Sequence, residues 1–223
     1  MASRQVAAVI FDLDGVLLDS EAAWVEVKRE YTEKAGGRWK DEAQWDMLGM
    51  SSIEWSRYMH DELAVPDPPE EISSAVAGRL AERYREHLPL LPGAIEAVCS
   101  LARHWPLGLA SSSNRKVIDL VLEEAELTDG FAATVSSEEV ERGKPAPDVY
   151  LEAARRLGVG PTACVAIEDS ANGIRAADAA EMTVIAVPNT DFPPESDALA
   201  LADLTLSSLE ELSPERVRGL VSA

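Results

Sequence analysis

Cysteine is almost absent from the chain, since Cys99 and Cys164 are the two cysteines among 223 residues. A disulfide-stabilised secreted scaffold is therefore excluded, and both thiols are predicted to be reduced side chains in the core. Long apolar runs are absent too, because no segment approaches the roughly 18 apolar residues of a membrane span. The apolar stretch at the N-terminus is too short for a secretion signal and leads directly into Asp12. We therefore expect a cytoplasmic protein without a membrane partner.

Positive charge is scarce: 20 Lys and Arg stand against 40 Asp and Glu, a formal charge of −20. Such an excess of negative charge repels phosphate backbones and anionic lipids, so no nucleic-acid partner is expected. The same field opposes small anionic substrates, and a site for one needs local cations or a metal ion. A monomer or weak homodimer is expected.

Short apolar runs recur along the chain, at residues 6–11, 107–110, 132–135, 163–167 and 183–187. Most are apolar at consecutive positions, which is typical of strands buried on both faces of a parallel sheet. Helical spacing of apolar residues separates the later runs. The alternation predicts an α/β fold with a Rossmann-like open parallel sheet, and segments 204–206 and 214–221 are expected to close its edge.

Residues 20–87 interrupt this alternation. They carry helical patterns at 20–34, 51–63 and 69–87 and no strand pattern. We predict an all-helical cap domain here, inserted into a catalytic core domain of residues 1–19 and 88–223, with hinges at 16–20 and 88–91. Four of the five tryptophans fall in the insertion: Trp24, Trp39, Trp45 and Trp55. They fit either a small helical core or the inner face of a lid that contacts ligand.

Polar residues follow four of the predicted strands. The first strand leads into Asp12-Leu13-Asp14-Gly15, and the later ones into Ser111-Ser112-Ser113-Asn114, Gly143-Lys144-Pro145 and Glu168-Asp169-Ser170. Ligands of open parallel sheets bind at the carboxyl ends of the strands, so these four groups are expected to converge.

Each group alone has an ordinary explanation. The serine run can end a strand and cap a helix, Lys144 can be a solvated loop lysine, and Glu168-Asp169 can offset a helix dipole. A calcium loop is excluded, because Val16 and Leu17 occupy positions where an EF-hand needs an oxygen ligand and glycine. Convergence of all four groups is what favours a site over these separate explanations.

The chemistry open to such a site is narrow. Crowded carboxylates repel one another unless a hard cation lies among them, and Mg²⁺ characteristically takes one or two carboxylates and a phosphate oxygen. A phosphoryl group could bind the Ser111 hydroxyl, backbone N–H groups near Ser112 and the Lys144 ammonium. One carboxylate can then attack phosphorus to form an aspartyl phosphate, while a second acts as general acid and base.

The segments DLDGVLLDS, LASSSN, GKPAPDVY and IEDSANGIRAA resemble, in order, the four motifs of the haloacid dehalogenase superfamily, and the sequence is similar to its sugar-phosphate phosphatases and β-phosphoglucomutases. The resemblance implies Mg²⁺ dependence and a closing cap. It implies that Asp12 is the nucleophile and Asp14 the acid/base. The remaining implied roles are phosphate binding by Ser111 and Lys144, and metal binding by Asp12, Asp14 through its carbonyl, Glu168 and Asp169.

Two family activities are argued against by the sequence, and a third stays open. Dehalogenases lack the second aspartate of the first motif, and a transport ATPase needs membrane spans. A phosphomutase shares every core residue, but Trp24 stands where the mutase pattern has His, and Ser52 stands where it has a cap Arg that holds a second phosphate. We therefore predict hydrolysis of a small phosphorylated metabolite, a sugar or polyol phosphate, with the mutase as the alternative.

Candidate substrate residues lie mainly in the predicted cap. Glu21 and Trp24 are one helical turn apart and can face the site together, the ring against a sugar face and the carboxylate on hydroxyls. Gly49, Asn114 and Arg115 are further candidates. An inactive metabolite-binding module is an alternative of another class, although unneeded buried acids would cost it stability.

Overall fold

The computed structural model describes residues 5–189 and 192–220. Its centre is a six-stranded sheet of order β3-β2-β1-β4-β5-β6, with every pairing parallel. The strands are β1 Ala8–Phe11, β2 Leu107–Ser111, β3 Ala133–Ser136, β4 Cys164–Glu168, β5 Thr183–Ala186 and β6 Leu204–Thr205. The order reverses direction at β1, so the chain crosses from one half of the sheet to the other between β3 and β4. Ligands of such sheets bind at this point.

Both faces of the sheet are covered, which explains the uninterrupted apolar runs. Val9 and Phe11 of β1 pack into one apolar cluster, whereas Ala8 and Ile10 pack into a second one on the opposite face. Successive side chains of a strand point to opposite faces, so a strand covered on both sides has no polar position. The predicted α/β fold with a Rossmann-like parallel sheet is confirmed.

Helices cover the sheet and fill the insertion after β1. The helices after the insertion are α5 Ala94–Ala102, α6 Arg115–Glu124, α7 Asp148–Leu157, α8 Ala171–Ala179, α9 Ser196–Leu199 and α10 Pro214–Gly219. Those within it are α1 Glu21–Lys34, α2 Ala43–Asp46, α3 Ser52–Asp61 and α4 Pro69–Glu86. Residues 20–87 are all described and contain no strand, so the predicted all-helical cap is confirmed. Within the described ranges, no helix is long and apolar enough to cross a bilayer.

Two chain segments that connect the sheet to the cap lie side by side. The Asp19 amide donates to the Pro89 carbonyl (2.8 Å), the Leu91 amide donates to the Leu17 carbonyl (3.0 Å), and Leu18 pairs with Leu90. They coincide with the predicted hinges at 16–20 and 88–91. The chain thus leaves the core and returns to it at one place.

Two details differ from the sequence-based predictions. Cys164 is buried as expected, but Cys99 is exposed. The buried face of α5 contains Ala94, Val98 and Leu101, and Cys99 lies outside that face. The four-residue helices α2 and α9 were not predicted, since elements this short carry no helical period. The predicted domain ends at 1–4 and 221–223, and the last residue of segment 214–221, lie outside the described residues.

Candidate active site

The carboxyl ends of the strands bring the predicted polar groups together. Asp12 follows β1, and Glu168 is the last residue of β4. The Lys144 ammonium, carried by the loop between β3 and α7, lies 2.9 Å from Asp12 Oδ1 and 2.5 Å from Glu168 Oε1. All three side chains are buried, with Lys144 4% exposed and Glu168 fully enclosed. The lysine thus offsets the charge of two acids that could not be buried together alone.

A third acid completes a buried carboxylate cluster. Oxygens of Asp12, Glu168 and Asp169 lie within 4.8 Å of one another. Burial, together with the charge of Glu168, raises the pKa of Asp12 to about 8, although Lys144 opposes the rise. Burial and the charges of Glu168 and Asp12 raise the pKa of Asp169 well above its usual range. A further positive charge among these carboxyls would favour their ionised forms.

The oxygens of the cluster fit a divalent ion. Asp169 Oδ1 is buried and has no hydrogen-bond partner among the described residues. An orphaned carboxylate oxygen beside two further acids is the donor set that Mg²⁺ takes, since this ion prefers oxygen ligands. Gly15 leaves space for this acid, because a Cβ at that position would lie 1.9 Å from Asp169 Oδ2. Its φ of +77° also favours glycine.

Glu168 is held more firmly than the other two acids. Its Oε1 accepts from Lys144 and from the Tyr150 hydroxyl (2.7 Å), and its Oε2 accepts from the amides of Asp169 (3.1 Å) and Ser170 (3.3 Å). These amides open α8, where the helix dipole also favours negative charge. Gly173 makes room for the carboxylate, since any Cβ there would overlap it. The role of Tyr150 was not predicted, because a tyrosine on the apolar face of α7 carries no sequence signal of a polar contact.

Asp14 lies between the core and the cap. Its Oδ1 accepts from the Trp24 indole N–H (2.9 Å), and its Oδ2 accepts from the Ser113 hydroxyl (2.6 Å). The Ser111 hydroxyl lies 3.5 Å from the same Oδ2 and accepts from the Ser113 amide (3.0 Å). A residue of the cap thus orients one of the two aspartates of the first motif. The contact of Ser113 with Asp14 was not predicted.

Above these groups lies a cavity of about 300 Å³. Its core wall includes Asp12, Asp14, Ser112, Lys144 and Asp169. Its cap wall includes Glu21, Trp24, Lys28, Gly49 and Trp55. The exposed ring of Trp45 lies 5.1 Å from the ring of Phe192, centroid to centroid and at a tilt of 54°, so that cap and core are in contact at the edge of the cavity. Residues from both sides therefore meet around a space large enough for a small metabolite.

A family model described as haloacid dehalogenase-like hydrolase matches residues 6–181, from β1 to beyond α8. The chain belongs to this family of hydrolases. Hexitol phosphatase B of Escherichia coli (strain K12) is 37% identical over 236 aligned residues, which cover 97% of this chain and 98% of that protein. The probable pseudouridine-5′-phosphatase of Drosophila melanogaster is 33% identical over 220 residues, which cover 96% and 94% of the two chains.

Among solved structures, a β-phosphoglucomutase from Clostridium difficile superposes with a TM-score of 0.84 at 23% identity and covers 97% of both chains. At this identity the likeness shows the fold, a haloacid dehalogenase-like core with its cap. The predictions of the family and of a phosphoric monoester hydrolase are confirmed by the family match and the two phosphatase relatives.

Most residues predicted from the family motifs meet at this cavity or directly beneath it. Ser111 and Glu168 lie beneath its surface, where they contact Asp14 and Lys144. Glu21, Trp24 and Gly49 line the cap wall.

Two candidate substrate residues are not brought to this haloacid dehalogenase-like site. Asn114 Nδ2 donates to Ser73 Oγ (2.9 Å) and to Glu138 Oε1 (2.6 Å), and its side chain lines a separate cavity between α3, α4 and α6. Arg115 pairs with Asp119 (3.2 Å) and Glu139 (3.3 Å). Asn114 immediately precedes α6 and Arg115 begins it, and both side chains contact partners away from the cavity that contains Asp12.

Proposed function

We propose that this hydrolase is a Mg²⁺-dependent phosphatase that cleaves a small sugar or polyol phosphate through an aspartyl-phosphate intermediate on Asp12. The observation that carries the proposal is the contact of the Lys144 ammonium with Asp12 at 2.9 Å, beside two further buried acids. This arrangement supplies a carboxylate nucleophile, a cation for the phosphoryl group and oxygen ligands for a metal ion in one place.

Asp12 and Asp14 divide the chemistry between them. An Asp12 oxygen attacks phosphorus, the bond from phosphorus to the substrate oxygen breaks, and the Asp14 carboxyl gives its proton to the leaving alkoxide. Asp14 then takes a proton from water, whose oxygen attacks the phosphorus of the aspartyl phosphate and frees inorganic phosphate and Asp12. The hydrogen bonds from Trp24 and Ser113 hold Asp14 in place for both proton transfers.

The phosphoryl oxygens are bound by the Ser111 hydroxyl, the backbone near Ser112 and the Lys144 ammonium. Asp12, the Asp14 carbonyl, Glu168 and Asp169 would hold Mg²⁺. The bound ion supplies positive charge that neutralises the phosphoryl oxygens and keeps the surrounding carboxylates ionised. Lys144 and the ion together overcome the repulsion that a chain of charge −20 exerts on a phosphate ester.

The cap side of the cavity supports a polyhydroxylated substrate. Glu21 offers a hydrogen-bond acceptor, Trp24 and Trp55 offer ring surfaces, and Gly49 has a φ of +70° beside Asn172. The two relatives are named a hexitol phosphatase and a probable pseudouridine-5′-phosphatase, and a hexitol and a nucleoside both carry several hydroxyls. We propose residues 20–87 as the closing cap and residues 1–19 and 88–223 as the core, because the paired hinge segments join them.

Release of phosphate from a panel of phosphorylated sugars and polyols, with and without Mg²⁺, tests the proposal. We expect Mg²⁺-dependent hydrolysis by the wild type and none by Asp12→Asn. Phosphate transfer within glucose 1-phosphate, without phosphate release, would identify the mutase instead. An inactive binding module would hydrolyse neither a sugar phosphate nor p-nitrophenyl phosphate.

A further inference from the structure

The cap wall of the cavity contains a buried lysine that the family motifs do not include. Lys28 lies on α1, seven residues after Glu21, and is 8% exposed. Its Nζ lies 5.2 Å from the ring centroid of Trp24 and 5.0 Å from that of Trp55. Its side chain lines the same cavity as Asp12 and Asp14. The two ring centroids are 5.9 Å apart, so the indoles pack on each other and the ammonium lies against both of them, where cation–π attraction holds it.

The Lys28 ammonium has no hydrogen-bond acceptor among residues 5–189 and 192–220. Within these ranges it donates to no oxygen and pairs with no carboxylate, and ring contacts are its direct polar interactions. Its side chain lines the cavity, so the ammonium is reached from that space. Its three N–H donors are therefore available to acceptors of a bound ligand.

Glu21 determines what kind of ligand group fits there. Glu21, Trp24 and Lys28 follow the i, i+3, i+7 spacing of one helix face, and all three line the cavity. A carboxylate or second phosphate placed at Lys28 would also meet the negative charges of Glu21 and Asp14, which act on Lys28 electrostatically. A hydroxyl group can accept from Lys28 and donate to Glu21 at no net charge. The pair therefore suits neutral hydroxyls better than an anion.

We propose that Lys28 and Glu21 bind hydroxyls of the substrate at the end remote from the phosphoryl group, with the rings of Trp24 and Trp55 against its carbon chain. The proposal rests on the phosphatase function proposed above and names its substrate as a neutral polyol or sugar monophosphate. Lys28 acts in recognition and takes no part in phosphoryl transfer.

Lys28→Met tests the proposal, because methionine keeps an unbranched stem against the rings and removes the donors. Lys34→Met is the matched control, since Lys34 lies on the same helix with its side chain 67% exposed. Three probes separate the contributions. Glucitol 6-phosphate and 6-phosphogluconate differ at C1, where one has a hydroxyl and the other a carboxylate, and p-nitrophenyl phosphate has no hydroxyls.

For Lys28→Met we expect kcat/KM on glucitol 6-phosphate to fall about 10- to 100-fold, mainly through KM, with p-nitrophenyl phosphate changed less than about twofold. Lys34→Met should change neither. Equal losses on all three probes with a lowered melting temperature would show that Lys28 supports the fold, and would overturn the proposal. A loss confined to 6-phosphogluconate would identify an anionic ligand group and would also overturn it.

Binding distinguishes failure of this proposal from failure of the phosphatase function. The dissociation constant of glucitol 6-phosphate is measured with Asp12→Asn alone and combined with Lys28→Met. A constant raised about tenfold by Lys28→Met supports recognition by Lys28 even if the wild type hydrolyses nothing. If Lys28→Met leaves this dissociation constant unchanged, or if neither protein binds glucitol 6-phosphate, the proposal for Lys28 is overturned. Neither result bears on whether the protein hydrolyses other phosphate esters.

Discussion

The core wall and the cap wall of the cavity are built on opposite principles. On the core wall Lys144 contacts two carboxylates, those of Asp12 and Glu168, and Glu168 accepts further bonds from Tyr150 and the start of α8. On the cap wall, Lys28 contacts aromatic rings and no acceptor among the described residues. Lys144 and Glu168 are held in place by the protein itself, whereas a donor without a protein acceptor depends on what binds. The core wall is thus suited to one phosphoryl group, and the cap wall to choosing among the molecules that carry it.

Removing the nucleophile tests the core wall most severely. Asp12→Asn should lower kcat by at least about a thousandfold, because an amide cannot form the aspartyl phosphate. Its melting temperature without divalent ions at pH 8 should equal or exceed that of the wild type, because one buried carboxylate is gone. Phosphate release and thermal unfolding measure the two effects. Glu21→Gln serves as the cap-wall control and should retain turnover of p-nitrophenyl phosphate. Substantial activity in Asp12→Asn would contradict the proposed nucleophile.

Removing the Lys144 ammonium, which contacts both Asp12 and Glu168, should lower both stability and activity. Lys144→Met leaves Asp12 and Glu168 buried without their partner, which we expect to lower the free energy of unfolding by about 3 kcal/mol and kcat/KM by about a hundredfold. Denaturant titration at pH 7 and steady-state kinetics measure these losses. The exposed Lys34→Met should stay within about 0.5 kcal/mol of the wild type. If Lys28→Met destabilised the protein as much as Lys144→Met, the contrast between the two walls would be wrong.

Trp24 lies on the cap wall and donates to Asp14 of the core wall, so a conservative change there sharpens the comparison. Trp24→Phe keeps a ring and removes the N–H that donates to Asp14 at 2.9 Å. We expect kcat on p-nitrophenyl phosphate to fall about tenfold, because Asp14 loses one of its two closest partners. Trp39→Phe changes a cap tryptophan that does not line the cavity and provides the control. An unchanged kcat in Trp24→Phe, with KM for polyol phosphates altered, would restrict Trp24 to substrate binding.

The pH dependence of the response to Mg²⁺ is the smallest effect we expect. The pKa of Asp12 is raised from 3.8 to about 8, and that of Asp169 is raised as well. Between the unfolded and folded pKa values of Asp12, 3.8 and about 8, the cation-free folded protein holds protons that the unfolded chain has released. Its free energy of unfolding therefore falls as pH rises through this range. Mg²⁺ binds the ionised carboxylates, so the gain in melting temperature at a fixed Mg²⁺ concentration should be larger at pH 8 than at pH 6.

Thermal unfolding at both pH values, with NaCl replacing MgCl₂ at equal ionic strength, measures this difference. Asp12→Asn should reduce the dependence on pH, because one of the titrating groups is removed. A gain in melting temperature that is equal at pH 6 and pH 8 would show that the cluster does not release protons when it binds the ion.

Sequence patterns predicted the core more completely than the cap. The strand positions and the convergence of Asp12, Lys144 and Asp169 followed from apolar runs and from the rule that binding residues follow strands. Asn114 was placed with them because it is adjacent to the serine run, but the first turn of α6 rotates it toward Glu138 and Ser73. Where a strand is followed directly by a helix, residues that are neighbours in sequence no longer direct their side chains to the same site.

The amino-acid sequence alone determined the parallel sheet, the helical insertion and the chemistry-bearing residues of the core. Hydrophobic periodicity and the position of a residue at the end of a strand are local properties that can be read within one segment of sequence. Tertiary structure decided which cap residues reach the cavity. The Lys28 contact with the Trp55 ring, the Tyr150 hydroxyl on Glu168 and the Trp24 bond to Asp14 each join residues from separate elements. Such contacts depend on how separate helices, strands and loops pack in three dimensions, and no spacing within one segment encodes that packing.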